Sequence, residues 1–572
     1  MPCLDGEETA RGVGECRAGV IVCADEAWRP CEGMVLPRDE ACNGLDDDCD
    51  GQVDDGVLSE CGTCGECDSA CWGQGDCSPW GKPPIGTRQD ADGALLLSDV
   101  GPVPHVLWLT DIGGLEGSEA PGAVHRVDTR DLEVEASFWT TSERSESFVS
   151  SHVAVDADGD GLVATSDGFG GGRASVSRIA GEVSHCIDRD GDGAIRTSTG
   201  PEDRLAFDSP DAWEDECLLW HTLVGTETGE DASAVAVGTL PELDGSVQEI
   251  AWVGFSSEAY SVEAYDAQSG DWTGDRTGDV SIRDLLVDAD GVLWTAIGQS
   301  LGRLDPAAGE DVFERIDVPL GDEKASVDTL TIDETGTIWA AGTHVASRSP
   351  LGEWEVFDPP FADPPGGSFG NPTADGRGRV WFAWMQGLAA RDHVYRLSAG
   401  PGAALEAIEE SVGGTRATTA DFDGRFWSFG WMWSGGQTID LGDGAIEAVF
   451  EDGPFVRPSA SGDLTGLRRW TALHPRSPWT AIAESCPDAL WIDVEIEADL
   501  PGGAGLLVSA RAADDLAALA DAPWDSVGSM PPQGPVFELG AFDGTFLQIS
   551  LRLLGYEETP VLRRVTLRWS CP

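Results

Sequence analysis

The stretch VDADGVLW, Val287 to Trp294, decides the reading of the fold. It passes from an apolar strand end through an Asp/Gly turn into a second strand that opens on tryptophan. It recurs as IDETGTIW at Ile332 to Trp339, ADGRGRVW at Ala374 to Trp381 and ADFDGRFW at Ala420 to Trp427, with the tryptophans 45, 42 and 46 residues apart. Each copy keeps an Asp at its second position, a Gly three before the Trp and an apolar residue just before it. Short-strand repeats of about 40–45 residues are the signature of β-propeller blades. In this reading the repeated Asp serves turn geometry, and the in-register tryptophans pack between blades; a sugar-stacking platform is the alternative use for them.

Working outward, three weaker copies extend the ring. Trp108 (HVLWLTD) opens the first, Ala154 to Ser166 (AVDADGDGLVATS) forms the second, and Trp252 (QEIAWVGF) opens the third, 42 residues before Trp294. Seven blades are expected within 81–455; six or eight fit the weaker copies as well. Later strands in the blades read VHRVD (124–128) and LGRLD (301–305). Together with VDADGVLW they resemble the streptogramin-lyase-like and NHL-type propellers over about 350 residues. That resemblance implies a fold and, for the lyases, a His/Glu acid–base arrangement with a magnesium ion at one propeller face. The eight histidines, His105, His125, His152, His185, His221, His344, His393 and His474, do not match it. The last blade has none, and His344 and His393 stand differently relative to their tryptophans. His152, placed to face the channel, is expected to be structural. Residues 78–102 read as a linker and approach strand, although Asp90-Ala91-Asp92-Gly93 imitates a blade turn.

Eleven of the 15 cysteines lie in the first 77 residues. Residues 1–80 form a module too poor in apolar residues to fold on burial alone, so cross-links or ions must help. Cys61, Cys64 and Cys67 could hold zinc, but no histidine precedes His105, and disulfides are the preferred reading. Eleven is odd, which leaves one thiol over; Cys3, nearest the end, is the expected orphan. Within the module, CNGLDDDCDGQVDDG (42–56) places Asp46, Asp48 and Asp50 at alternate positions, then Gly51, Asp54 and Asp55. Carboxylates at loop positions 1, 3 and 5 with Gly at 6 let a loop wrap one hard cation in oxygen ligands. The element resembles the CNGxDDDCDG metal-binding motif of bacterial secreted proteins, closely over 15 residues and loosely over 2–60. Ala10 and Arg11 stand where those proteins carry a further Cys.

Two other loops share the pattern. An insertion at 183–230 contains CIDRDGDGAIRTSTGPEDRL, with Asp188, Asp190, Asp192 and Gly193 in D-x-D-x-D-G order. Its twelfth position is Thr199, so Glu202 or Asp203 would have to close the loop; Cys186 and Cys217 would clip the insertion shut. The second blade turn offers Asp156, Asp158, Asp160 and Gly161 with Asp167 at the twelfth position. For this loop a plain acidic turn is the stronger reading. Calcium is the expected ion throughout. Residues 456–572 change to period-two alternation at 490–498, 505–513, 546–554 and 561–569, which predicts a β-sandwich, jelly-roll-like, stapled by Cys486 and Cys571. It looks like carbohydrate-binding sandwich modules in general pattern.

The chain is therefore expected to be all-β. With 35 basic against 102 acidic residues, a net charge of −67, it repels phosphate backbones and anionic lipid, so nucleic acid and membrane surfaces are excluded as partners. No apolar run is long enough to span a bilayer. Cysteine density points to an oxidising, extracellular or cell-surface setting, with any signal upstream of Met1. No G-x-S-x-G, H-E-x-x-H or phosphate loop stands out. The expected function is an exported, non-catalytic, calcium-stabilised binding or surface protein, monomeric, recognising an extracellular carbohydrate or protein. The alternative is a streptogramin-lyase-like enzyme, a lyase or hydrolase with a divalent metal. The cysteine reading has a direct test: denatured, unreduced protein should titrate with a single free thiol, and free thiols throughout would overturn it.

Overall fold

The structure is a computed structural model. It describes residues 2–571 apart from 4–11, 25–26, 29–30, 60, 85, 99–102, 112–122, 143–147, 168–172, 226–230, 242–246, 257–260, 322–324, 351, 358–366, 386–392, 399–404, 409–410, 412–414, 431–434, 451–454, 456–457, 459, 474–477, 488, 502–503, 531–533 and 556–557. Among the described residues, seven meander sheets follow one another from Val106 to Phe450, beside a two-stranded ribbon at Phe207–Ser209 and Ala212–Trp213; their pairing is antiparallel, except that the later Ser461–Gly462 adds parallel to Phe148–Val155 of the second. The third to seventh are four-stranded meanders; the fourth, for example, is Leu285–Val287, Leu293–Ile297, Ser300–Leu304 and Glu314–Asp317. The first strands of neighbouring sheets pack on one another, which is the propeller arrangement.

The quoted repeat is explained by one local device. In each strong copy the Asp takes backbone N–H groups on one carboxylate oxygen and the indole N–H of the Trp six residues on with the other. Asp288 accepts from the amides of Asp290 and Val292 at 3.0 and 3.1 Å and from Trp294 Nε1 at 2.8 Å. Trp339, Trp381 and Trp427 donate to Asp333, Asp375 and Asp421 at 2.8, 3.0 and 2.6 Å. The carboxylate thus fixes the turn and ties it to the following strand, while the indole body fills the space between sheets. The expectation that the Asp serves the turn holds, with the indole bond added.

The ring closes through the chain after the seventh sheet. The first sheet has three strands, Val106–Asp111, Ala123–Asp128 and Val134–Trp139. Its innermost place is taken by the returning segment: Pro458 bridges Asp111, and Trp108 N donates to Leu464 O at 2.8 Å. Counting that segment, Trp108 lies on the second strand of its sheet, as Trp252, Trp294, Trp339, Trp381 and Trp427 do on theirs. Trp427 and Phe429 of the seventh sheet share one core with Trp108 and Phe138 of the first. The chain then forms a short helix, α1 (Leu467–Leu473), which lies against the first strands of the third to sixth sheets, over the centre of the ring.

The remaining strands make two packed sheets. One contains Trp479–Glu484, Phe546–Leu554, Gly505–Ala513 and Asp525–Met530; the other is built on Leu490–Asp499 and Val561–Cys571. The expected boundaries at 80 and 455 do not coincide with these sheets. Glu66–Gly73 pairs along Val561–Cys571, and Leu95–Leu97 and Thr87–Gln89 extend the same sheet. Trp80, Leu95 and Leu97 enter the sandwich core. The segment expected to be a linker into the first blade is therefore sandwich. The insertion is also shorter than expected, because Leu218–Leu223 is the outer strand of the second sheet.

Six disulfides are described: Cys16–Cys49, Cys42–Cys64, Cys61–Cys67, Cys71–Cys77, Cys186–Cys217 and Cys486–Cys571. Zinc at Cys61, Cys64 and Cys67 is excluded by this pairing. Cys31 is also bonded. The free thiol among the described residues is the exposed Cys23; the side chain of Cys3, the expected orphan, lies outside them.

The indole bond predicts a specific contrast. Trp381→Phe strands a buried oxygen of Asp375, which should cost about 1–3 kcal/mol beyond the lost ring volume. Trp252 is equally buried, and its Nε1 has no hydrogen-bond partner. Trp252→Phe should therefore destabilise less in a denaturant titration; equal costs would contradict the role given to the carboxylate.

Candidate metal centre

The N-terminal acidic loop is held from both sides by covalent clamps, Cys16–Cys49 and Cys42–Cys64. Its aspartates divide into two groups. Asp54 caps the turn at 43–44, accepting from Asn43 N at 2.9 Å and from Gly44 N. Asp47 is paired with Arg38 at 2.8 Å and takes Asn43 Nδ2. These bonds turn Asp47 and Asp54 toward the loop's own fold, and Asp54 lies beside the Cys42–Cys64 disulfide rather than with Asp46, Asp48 and Asp50. Asp46, Asp48 and Asp50 instead bring ligand atoms within 4.8 Å of one another, the separation that two oxygens on opposite sides of a calcium ion have at about 2.4 Å each. Gly51 turns the loop as expected, at φ 99°, and donates its N–H to Asp46 Oδ2 at 3.1 Å. Gly14 packs so closely on Asp46 that a Cβ there would lie 2.5 Å from the carboxyl carbon, which keeps Asp46 at 6% exposure.

A second set shares Asp48. Glu40, Asp48 and Asp55 also bring ligand atoms within 4.8 Å. Glu40 was not singled out in the sequence, because it lies outside the repeating Asp pattern. Three oxygens of this double cluster, Glu40 Oε2, Asp46 Oδ1 and Asp55 Oδ1, are buried without a hydrogen-bond partner. Burial, then the fields of Asp50, Asp48 and Glu40, raise the Asp55 pKa. The donor set is all carboxylate oxygen, which suits a hard divalent cation. Cys42 and Cys64 beside Asp54 are bonded to each other and offer no thiolate.

The insertion also forms an acidic cluster, with a changed membership. Asp188 and Asp190 converge with Glu216. Asp192 takes its own loop amide, Ala194 N, at 2.8 Å, and Asp203 is bonded to Thr199 Oγ1. The expected closure by Glu202 or Asp203 is replaced by Glu216, which the Cys186–Cys217 disulfide carries to the loop. Backbone N–H groups of Arg196 and Arg189, at 2.7 and 2.8 Å, lower the Glu216 pKa.

Asp156, Asp158 and Asp160 of the second-blade turn also bring ligand atoms within 4.8 Å of one another, but they share them with an arginine. Arg178 reaches Asp156, Asp158 and Asp160 at 2.7, 3.2 and 2.9 Å, and His185 Nδ1 lies 2.8 Å from Asp160. A guanidinium occupies the place a cation would take. Asp167 lies at the far end of Gly161–Asp167, roughly 20 Å along the strand, so it cannot close the loop; its side chain lies outside the described residues. The structure thus brings Asp156, Asp158 and Asp160 together, with Arg178 among them, and leaves Asp167 apart.

At the centre of the ring, His152 meets Asp284 and the α1 helix. His152 Nδ1 accepts from Val235 N at 3.1 Å, and Nε2 lies 3.2 Å from Asp284 Oδ1. Arg468 of α1 donates to the same oxygen at 3.0–3.1 Å, and Leu330 N donates to the other at 2.8 Å. Burial would raise the Asp284 pKa, but Arg468 and His152 override it and hold the group at about 2. This network ties four sheets and the helix together. His125, likewise wholly buried, is paired with Asp111 at 2.8 Å. His474 lies outside the described residues.

No family model and no curated protein matches the chain. Similar solved structures include a streptogramin B lyase, at 12% identity over 64% of this chain and 94% of that one, with a TM-score of 0.33. A catalytically inactive virginiamycin B lyase from Staphylococcus aureus with quinupristin is 12% identical over 64% and 96%, at 0.31. AztD from Citrobacter koseri is 10% identical over 62% and 97%, at 0.35. At these scores the fold assignment rests on the sheets themselves.

The central network makes a pH prediction. A carboxyl held at about 2 when folded, against about 3.9 unfolded, contributes on the order of 2–3 kcal/mol that is fully present above pH ~4 and lost as pH falls toward 2. Thermal melts across that window should show a smaller loss in Asp284→Asn than in the parent protein, and the variant should already be destabilised at neutral pH; equal losses would contradict the role given to Asp284.

Proposed function

We propose that the chain is an exported binding protein whose N-terminal module is stabilised by calcium and whose propeller is a recognition scaffold without catalytic chemistry of its own. The observation that carries this reading is the set of three buried, unpartnered carboxylate oxygens on Glu40, Asp46 and Asp55, inside a loop clamped by two disulfides. Such oxygens are costly unless a cation meets them. Asp48 and Asp50 complete the ligand set, and the Asp188, Asp190 and Glu216 loop is a weaker second site. Six disulfides suggest an oxidising extracellular environment, and among the described residues no helix is long and apolar enough to cross a membrane. The non-catalytic reading is supported at the ring centre, where His152 and Asp284 are engaged with α1. The net charge of −67 favours a monomer that stays dispersed.

Calcium and the module are linked thermodynamically. A cation at a hundred times its dissociation constant should add about 2.7 kcal/mol to the stability of the unit that binds it. Melts of the full chain should rise in calcium and fall in EDTA. Asp55→Asn should reverse sign between the two: it removes one repelling charge in EDTA and one ligand in calcium. It should therefore melt higher than the parent in chelator and respond less to calcium. Melts unaffected by either condition would refute the proposal.

A further inference from the structure

A cleft of about 560 Å³ lies between the fifth propeller sheet and the sandwich, within the ~300–1,000 Å³ span of small-molecule sites. The two units touch beside it. Leu507 packs on Gly378, and Arg552 reaches the buried Glu334 at 3.6 Å. Beside these contacts the cleft remains open between the two surfaces.

The sandwich side is a row of hydroxyls. Thr480 pairs with Ser550, Ser550 with Ser509, and Ser509 with Ser526, so one register line carries four hydroxyl side chains across four strands. Their neighbours Ile549, Leu551, Val508 and Ala510 turn into the core. Ser550, Ser509 and Ser526 border the cleft. Small side chains here leave a shallow floor with donors and acceptors at the strand spacing, about 4.8 Å apart. Had the row served only to seal the two units together, apolar residues would have been the stable choice.

The walls are aromatic and acidic. Trp354, on the outer strand of the fifth sheet, and Trp524, at the entry to Asp525–Met530, are both half-buried and border the same space. Glu353 and Glu355 flank Trp354 with exposed carboxylates. Indole faces stack on the C–H face of a pyranose ring, while hydroxyls and carboxylates exchange hydrogen bonds with its hydroxyl groups. Among the described residues that border the cleft, the one basic side chain, Arg552, is already directed at Glu334, and the charge of the whole chain repels an acidic sugar. We propose that this cleft binds a neutral oligosaccharide, stacked on Trp354 or Trp524 above the serine row.

The inference rests on the reading of the chain as a binding protein and names its ligand class, but it fails separately: calcium dependence is read in melts, this site in sugar titrations. The test is tryptophan-fluorescence and calorimetric titration of the full chain, in calcium, with neutral hexasaccharides of glucose, xylose, mannose and N-acetylglucosamine, and with polygalacturonate as the anionic control. Saturable binding of at least one neutral hexasaccharide is expected, weakened about tenfold or more in Trp354→Ala or Trp524→Ala. Ser509→Val, which fills the floor while suiting a strand, should weaken it as well at an unchanged melting temperature. No binding of any neutral sugar, binding indifferent to all three substitutions, or preference for polygalacturonate would overturn the proposal.

Discussion

Burying a carboxylate without a counterweight is the constraint around which this molecule is arranged. A chain with 102 acidic and 35 basic residues cannot keep every acid at the surface once it folds into a ring of sheets. Hydrogen bonds answer for Asp288, Asp333, Asp375 and Asp421, each held by turn amides and an indole N–H. Even so, burial still pushes Asp421 to about 7. Arginine answers for others: Arg178 gathers Asp156, Asp158 and Asp160, and Arg468 carries Asp284 at the centre of the ring. Only two lysines, Lys82 and Lys324, occur in the chain, and the planar guanidinium suits these multi-oxygen contacts better. At Glu40, Asp46 and Asp55 one oxygen of each carboxylate stays buried without either device, and these three lie together where a cation can meet them.

The parts of the fold that were legible in the sequence are those where one device repeats. The Asp-to-Trp bond needs a fixed spacing of six residues, so it prints itself on the chain four times. The alternation of the C-terminal strands and the Cys486–Cys571 staple were readable for the same reason: each is a periodic or paired signal. What misled was a local turn with a different destination. Asp90 accepts from Asp92 N and Ala94 N, as a blade Asp does. Yet no tryptophan follows it at the sixth position, and its strands join the sandwich. Local hydrogen bonding fixes a turn; it does not say which sheet the turn serves.

The candidate site was legible by half. Alternating Asp at 46, 48 and 50 marks a loop that can wrap an ion, and the structure brings those three together. Glu40 and Glu216 come from outside their loops, delivered by disulfides and chain crossings that spacing does not reveal. Arg178 illustrates the converse: the D-x-D-x-D pattern at 156–160 is intact, and an arginine 22 residues on from Asp156 occupies it. The difference between an ion loop and an arginine-locked turn lies in the third dimension.

The central claim is that the clamped N-terminal loop holds a hard cation. The most direct measurement is elemental analysis of protein purified without chelator and dialysed into metal-free buffer, run beside the Asp46→Asn, Asp48→Asn double variant. The account predicts retained calcium in the parent and a smaller calcium content in the variant, with all disulfides intact. A parent protein free of calcium, or a variant that retains as much as the parent, would contradict it.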